Sequence, residues 1–402
     1  MTKVTPVHFS ERFSRADYQM LAIGVAGGCL LLLSLPLANV ILARTLGTVM
    51  LLVIALALGM RFSAYDLPLK GAFVTWLVAA LLSLFSLEHP SQAFRLIWSE
   101  VLKSTLIFYA AFLVARWRGS TLLWSRGAGL ALAVLALVSI VGWWRHGTWQ
   151  AVGLVPALGD YTTSALTLLP LVALPLFLPW RGATRKVENC LLLLVVGLGL
   201  VGGALTMSRG FWLIVGLIFG VSLLGLNWKV RMRWWMMLLL VVGSSTLLAL
   251  AAFAVARWRG LELLRFTERS TIYWPVIQHI LEAPLTGFGY GHEAQHEWYL
   301  NHMPADWGVF HAHNIILSYV EQMGGLGLIA LLSLFGGLAF RFVRHLRNVD
   351  EMHTVVATLG LGLVVGIFVR NNLDIFFVRH NILLFFLVCG LMLGMLEGEK
   401  DR

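Results

Sequence analysis

The sequence predicts an all-α protein that crosses a membrane many times. Of its 402 residues, 59% are hydrophobic and only 12% are charged, whereas about 25% of the residues in a typical soluble domain are charged. The mean hydropathy is +0.81, and apolar residues extend along the whole chain, which excludes a soluble enzyme with a single anchor. The three cysteines lie in apolar runs and indicate no disulfide framework.

The individual spans follow from the lengths of the apolar runs. A bilayer core about 30 Å thick needs roughly 17 to 25 apolar residues in one helix, because hydrocarbon offers no partner for backbone polar groups. About twelve such runs occur, and the run at 99–115 is the weakest because it contains Glu100 and Lys103. In chain order the predicted spans are 19–35, 38–60, 71–87, 99–115, 127–144, 163–180, 190–207, 211–227, 235–256, 314–340, 354–369 and 381–397.

The basic residues predict the orientation of these spans. Lys and Arg near span ends are retained in the cytoplasm, and most of the 30 basic residues fall on one side when both termini are cytoplasmic. The net charge of +10 then reflects mostly the basic residues on the cytoplasmic face, which are also attracted to the anionic headgroups of membrane lipids. Nucleic acid is excluded as a partner. No cleavable signal peptide is expected, because the first 18 residues carry charges of both signs.

The long loop predicted at 257–312 lies on the outer face, between the ninth and tenth spans. Loops longer than about 15 residues in a compact domain are usually functional or disordered. A short helix is predicted from Thr267 to about Leu281, since Thr267 can cap its start, and Pro284 with the glycines after it ends it. We expect function to concentrate in this loop, although a structural plug without chemistry is the alternative.

Histidines are concentrated in and after this loop, and His313 has the most informative neighbourhood. It directly precedes Asn314 and the tenth span, so a rigid helix would hold its imidazole at the membrane surface. An imidazole with an ordinary pKa near 6.5 accepts a proton at neutral pH, as a general base must. Most of the other loop histidines are expected to be surface residues; the set is His279, His292, His296, His302, His311 and His313.

Two metal-dependent interpretations of the sequence compete with a histidine base. His292, Glu293 and His296 form HExxH, the pattern of zinc proteases. The segment is short, follows a glycine-rich turn and lacks an evident third ligand, which disfavours a zinc site. The chain also contains no Asp-x-Asp pair to hold a metal diphosphate.

Arginine can bind a diphosphate without a metal, because its guanidinium pairs with two phosphate oxygens and stays charged. Arg209 follows the tight break between the seventh and eighth spans. A charge costs roughly 2.5 to 3.5 kcal/mol at the centre of a span and less near the interface, so an anionic partner is expected there. Contact with lipid headgroups is the alternative. Further candidates are Arg265 and Arg269 in the loop and, more weakly, Arg370 and Arg379.

Three segments together carry a family resemblance. Arg209 and Leu213 form an Arg-x-x-x-Leu element, and His313 with Asn314 is followed by Gly324 and Gly327. Residues 268–274 and 284–291 form a candidate loop helix and glycine turn. Over about residues 190–340 the chain thus resembles the O-antigen ligases and polymerases, which are integral membrane glycosyltransferases with a large periplasmic loop late in the chain.

The resemblance implies metal-independent, inverting transfer of O-antigen polysaccharide from undecaprenyl diphosphate to the lipid A-core oligosaccharide. It places this reaction on the periplasmic face of a Gram-negative inner membrane, with no cofactor and with a monomeric enzyme. The implied catalytic base is His313, the diphosphate-binding residues are Arg209 and Arg265, and the supporting residues are Arg269, His311 and Asn314. Whether Arg265 or Arg269 is the second functional arginine stays open, with Arg265 preferred.

The predicted organisation has three parts: N-terminal transmembrane helices at 1–189, a ligase/polymerase-like core at 190–340 that includes the periplasmic loop, and C-terminal transmembrane helices at 341–402. Alternatives within the family are an O-antigen polymerase and a protein O-oligosaccharyltransferase. A twelve-span secondary transporter is more remote. Transporters show internal repeats and substrate groups at mid-membrane, whereas here repeats are not evident and the spans contain almost no central charge.

Overall fold

The structure, a computed structural model, confirms the all-α class of polytopic membrane protein. Across the residues it describes, all regular secondary structure is helical. The predicted ninth span at 235–256 and Arg265 lie outside the described residues. The described ranges are 15–37, 39–61, 67–87, 90–118, 121–146, 158–177, 183–205, 209–230, 267–303, 311–347, 350–373 and 377–398.

Fourteen α-helices are described in these ranges. They are α1 (Arg15–Ser34), α2 (Ile41–Arg61), α3 (Lys70–Leu82), α4 (Pro90–Leu96), α5 (Lys103–Arg118), α6 (Thr121–His146), α7 (Leu158–Ala173), α8 (Ala183–Leu205), α9 (Arg209–Val230), α10 (Thr267–Glu282), α11 (His296–His302), α12 (Ile315–His345), α13 (Glu351–Leu373) and α14 (Arg379–Gly398). A π-helical turn, Ile97–Leu102, joins α4 to α5. Short 3-10 turns follow α3 and α7 and precede α11.

Seven described helical segments are long and apolar enough to cross a membrane, and four shorter apolar helices accompany them. Together these overlap every predicted span except the one outside the described residues. The predicted fourth span differs most, because its helix begins at Pro90 and runs to Arg116 instead of beginning at 99. The added turns are mostly exposed and contain Arg95, so a search for apolar runs does not include them.

The last helix, α14, forms the centre of the bundle and is buried along almost its whole length. Its packing depends on three glycines four residues apart, because such a row lets two helix backbones approach closely. Gly390, Gly394 and Gly398 lie against carbonyl oxygens of α5 that are also four residues apart, those of Phe108, Phe112 and Arg116. The residue numbers in the two rows increase in the same direction, so α5 and α14 run parallel.

The directions of α9, α12 and α13 are also fixed by close contacts. Gly225 of α9 lies against Thr358 of α13, and Gly366 lies against Ile214, so these two helices are antiparallel. Helix α12 is antiparallel to α13 as well, since Phe342 packs on Gly360 and Phe335 on Phe368. Helices α9 and α12 therefore run in the same direction, and the end of α9 lies at the opposite end of the bundle from the start of α12.

The glycine turn after α10 is bonded to a kink in α12. Gly324 interrupts α12 with a φ of 63°, and a side chain at this position would collide with the backbone of Leu285. Three backbone hydrogen bonds join the two segments: Gly325 N to Pro284 O at 2.8 Å, Phe288 N to Glu321 O at 2.9 Å and Gly289 N to Gln322 O at 3.0 Å. The turn is thereby fixed to the N-terminal part of α12.

Helix α10 confirms the short helix predicted after Thr267 and has two apolar faces. One face packs Ile272, Val276 and Ile280 into a small core shared with α11 and with the segment before α12. The other face leaves Trp274 and Leu281 exposed. The helix thus supports the start of α12 on one side.

Candidate functional site

The candidate site lies at the N-terminal end of α12, where Asn314 caps the helix. Its side-chain oxygen accepts hydrogen bonds from the backbone N–H groups of Ile316 at 2.9 Å and Leu317 at 3.1 Å. Such a cap satisfies backbone donors that have no partner within the helix. The start of α12 is therefore well defined, and His313 is the residue immediately before the cap.

His313 adopts an unusual backbone conformation, with a φ of 51°. A residue other than glycine in this left-handed region costs roughly 1–3 kcal/mol, and such residues cluster at functional sites. The backbone N–H of His313 donates a hydrogen bond to Nδ1 of His311 at 3.2 Å. That nitrogen therefore carries no proton while it accepts this bond, and His311 supports the backbone turn at His313.

Three imidazoles form a row at this position. The ring centroids of His311 and His313 are 4.2 Å apart, and those of His292 and His311 are 5.1 Å apart. Burial, followed by the nearby charges of His313 and Arg379, lowers the pKa of His292 from 6.5 to about 4. His292 is therefore neutral at pH 7. We call His292, His311 and His313 the histidine row.

The HExxH segment does not form the single helix that a zinc protease uses. His292 and Glu293 belong to a 3-10 turn, His292–Gln295, and His296 begins α11. Among the described residues no group of three or more His, Cys, Asp or Glu side chains is placed to hold a metal ion. The zinc-protease interpretation thus has no support from the described geometry.

No sequence motif singles out Glu100 as a site residue, yet it lies in the same cavity wall as His292 of the histidine row. The carboxylate lies in the π-helical turn and is only 6% exposed. It accepts hydrogen bonds from the Tyr290 hydroxyl at 3.0 Å and from the backbone N–H of Arg379 at 2.8 Å. Burial and the neighbouring Glu100 raise the pKa of Tyr290 well above its usual value, so its hydroxyl stays a donor. Glu100 joins three segments that are distant in sequence.

A cavity of about 140 Å³ opens beside these groups. Its wall includes the π-helical turn, the glycine turn, the start of α12 and the segment before α14. His292 belongs both to this wall and to the histidine row, so the cavity and the row adjoin. Polar residues in the wall include Glu100, Tyr290, Ser318, Tyr319 and Gln322.

The structure describes the side chains of some of the predicted arginines and not of others. Arg209 is the first residue of α9 and Arg269 lies in the first turn of α10, but their side chains, like the whole of Arg265, lie outside what the structure describes. Arg370 is buried and its Nη2 lies 3.5 Å from the hydroxyl of Thr162. Arg379 is exposed, and its Nη2 lies 3.9 Å from Glu293. The diphosphate-binding roles therefore stay predictions.

These features define a polytopic helical membrane protein whose candidate site is built where a loop meets the N-terminus of a long helix. Residues 194–332 match the family model described as O-Antigen ligase. This stretch runs from α8 to the middle of α12 and contains His313 and Asn314, which confirms the family resemblance found in the sequence. A search of curated proteins gave no match. The match supports glycosyl transfer of the ligase/polymerase type as the class of reaction.

Proposed function

We propose that this protein is a glycosyltransferase that moves O-antigen polysaccharide from undecaprenyl diphosphate to the lipid A-core oligosaccharide. The observation that carries the proposal is the family match over 194–332, which includes the histidine motif at the start of α12. The left-handed turn at His313 and its support by His311 agree with a residue held for a chemical role.

His313 is assigned as the general base. It takes the proton from an acceptor hydroxyl while the hydroxyl oxygen attacks the anomeric carbon of the donor's first sugar. The bond from that carbon to the diphosphate oxygen breaks, the configuration at the carbon inverts, and undecaprenyl diphosphate leaves. Holding the two reactants in line accounts for a large part of the barrier reduction in reactions of this kind, and a placed base contributes roughly 10²- to 10⁴-fold.

Arg209 and Arg265, with Arg269 as the alternative to Arg265, are assigned to the diphosphate. Negative charge grows on the leaving group as the glycosidic bond breaks, and fixed cations stabilise that charge most when water is excluded. With arginines in this role, the proposed reaction proceeds without a metal ion or cofactor. All three arginines lie within the matched stretch.

The site is proposed to face the periplasm of a Gram-negative inner membrane, with both termini in the cytoplasm. The basic residues at the far end of α12 support this orientation. Arg341, Arg344 and Arg347 cluster there, and such clusters mark the cytoplasmic ends of spans. Because the histidine row lies at the other end of α12, it would reach lipid-linked glycans in the outer leaflet.

The proposal is tested with purified protein in liposomes, supplied with lipid-linked O-antigen and lipid A-core. His313→Ala is expected to lower kcat by roughly 10²- to 10⁴-fold. His296→Ala is the matched control, since His296 is an exposed histidine of the same loop, and it should retain wild-type turnover. A His313→Ala protein with wild-type kcat would contradict the assignment of the base.

The products distinguish ligase from polymerase. A ligase yields glycan attached to lipid A-core and free undecaprenyl diphosphate, which mass spectrometry and gel analysis detect. Longer chains that stay on the carrier, with lipid A-core unmodified, would instead identify a polymerase.

A further inference from the structure

The wall of the cavity beside the histidine row includes a tyrosine, Tyr319, whose buried hydroxyl has no partner among the described residues. Tyr319 lies on α12, lines the cavity and is 5% exposed. Its hydroxyl oxygen is buried without a hydrogen-bond partner among the described residues. Leaving such a group unpaired costs roughly 1–3 kcal/mol, and such groups are rare in folded proteins. A ligand that supplies the missing bond would explain its position.

Other polar groups in the wall are already held in place. Gln322 donates from Nε2 to the hydroxyl oxygen of Ser318 at 2.8 Å, and its Oε1 accepts from the backbone N–H of Gly291 at 2.8 Å. Glu100 is held by its bonds to Tyr290 and to the backbone of Arg379. A small number of fixed polar groups among apolar side chains is typical of small-molecule sites.

The charges of the wall disfavour a phosphate group inside the cavity. Glu293 lines the wall, and its carboxylate repels an anion at short range. Glu100 is buried in the same wall and adds an acidic side chain, which offers an anion no positive charge. Among the described residues of the wall the arginine is Arg379, which is exposed and directed toward Glu293. The hydroxyls of a neutral sugar, by contrast, can donate to a carboxylate and exchange hydrogen bonds with serine and tyrosine hydroxyls.

The size of the cavity fits one sugar ring. A cavity of about 150 Å³ in a protein core accommodates a six-membered ring such as benzene, and this cavity measures about 140 Å³. We infer that it binds one neutral sugar ring of a glycan substrate, adjacent to the reacting ring, and that the Tyr319 hydroxyl hydrogen-bonds to that ring. The inference rests on the proposed function, and the ring belongs to either the donor or the acceptor.

Tyr319→Phe removes only the hydroxyl, and Tyr109→Phe is the matched control, since Tyr109 lies within α5 and away from the cavity. In the liposome assay, Tyr319→Phe should raise the KM of one substrate roughly 3- to 10-fold, the equivalent of one hydrogen bond, with kcat nearly unchanged. The substrate whose KM rises identifies the source of the ring. In the absence of substrate, Tyr319→Phe should unfold at the wild-type temperature or at a higher one, because the hydroxyl it removes has no described partner in the substrate-free protein.

A second readout does not require turnover. Saturation-transfer NMR with delipidated core oligosaccharide, and separately with an O-antigen repeat oligosaccharide, measures binding to the detergent-solubilised protein. One of the two probes should bind more weakly to Tyr319→Phe than to the wild type. Unchanged KM values and unchanged binding would overturn the cavity assignment while leaving the proposed function standing. Tyr319-dependent binding by a wild-type protein without transfer activity would overturn the function and retain the sugar site.

Discussion

At the scale of single residues, local motifs could be predicted and distant partnerships could not. His313 and Asn314 are adjacent to a long apolar run, so their place at a helix start follows from the sequence alone. Glu100 meets partners 190 and 279 residues away in the chain, and no local pattern encodes such pairs. The sequence does offer one indication: placing a carboxylate near the end of a span costs free energy, so Glu100 requires partners.

The shifted pKa of His292 predicts acid sensitivity of the folded protein. Its pKa falls from 6.5 to about 4 on folding, so the unfolded chain binds the proton more readily. Charged or titratable groups near it include His311, His313 and Arg379, and Glu100 and Glu293 line the same cavity wall. The stability contributed by neutral His292 should be fully present above about pH 6.5 and be lost as the pH falls toward 4, at most about 3 kcal/mol in total.

Thermal unfolding in detergent between pH 4 and pH 8 measures this loss. His292→Gln should flatten the acid limb of the profile, whereas His296→Gln, a change to an exposed histidine in the same segment, should leave it unaltered. An acid limb that is identical in wild type and His292→Gln would show that other groups cause it.

At the scale of helices, apolar run length located the spans but not how they pack. The predicted boundaries fall within a few residues for most described helices, yet the π-helical turn and the kink at Gly324 arise from tertiary contacts. The spacing of Gly390, Gly394 and Gly398 in α14 is visible in the sequence, but the sequence does not indicate which helix packs against them. Only the three-dimensional arrangement identifies α5 as the surface that requires these glycines.

The contact between α14 and α5 predicts that a large side chain at its centre strongly destabilises the protein. Gly394→Leu would place a side chain against the backbone of Phe112, and overpacking typically costs about 1–3 kcal/mol or more. The variant should give less monodisperse protein and unfold at a lower temperature, as measured by fluorescence-detected size-exclusion chromatography. Gly336→Leu is the control, since no described atom beyond its own stretch of helix lies within 4 Å of a Cβ added there. Equal behaviour of the two variants would argue against the contact.

At the scale of the whole molecule, the class of fold was predictable because composition alone decides it. The number of spans is less certain from sequence, and the ninth span stays a prediction outside the described residues. The parallel directions of α9 and α12 place the end of α9 and the start of α12 at opposite ends of the bundle. A crossing at 235–256 would meet that geometric requirement.

Cysteine labelling in intact cells tests the orientation. In a background without the exposed native Cys190, Leu300→Cys near the histidine row should react with a maleimide that crosses the outer membrane but not the inner one. Arg347→Cys, at the other end of α12, should react only after the inner membrane is permeabilised. The reverse pattern would place the site in the cytoplasm and remove access to the proposed substrates.

Three of the hydrogen bonds between the glycine turn and the kink of α12 join main-chain atoms, and a fourth joins the backbone N–H of Gly291 to the side chain of Gln322. Side chains around the turn other than that of Gln322 can therefore be exchanged while the three main-chain bonds remain. If the proposed function holds, directed evolution toward other glycans could vary the residues next to the turn while the imidazole of His313 keeps its position. Chemistry and selectivity would then be adjustable as separate traits.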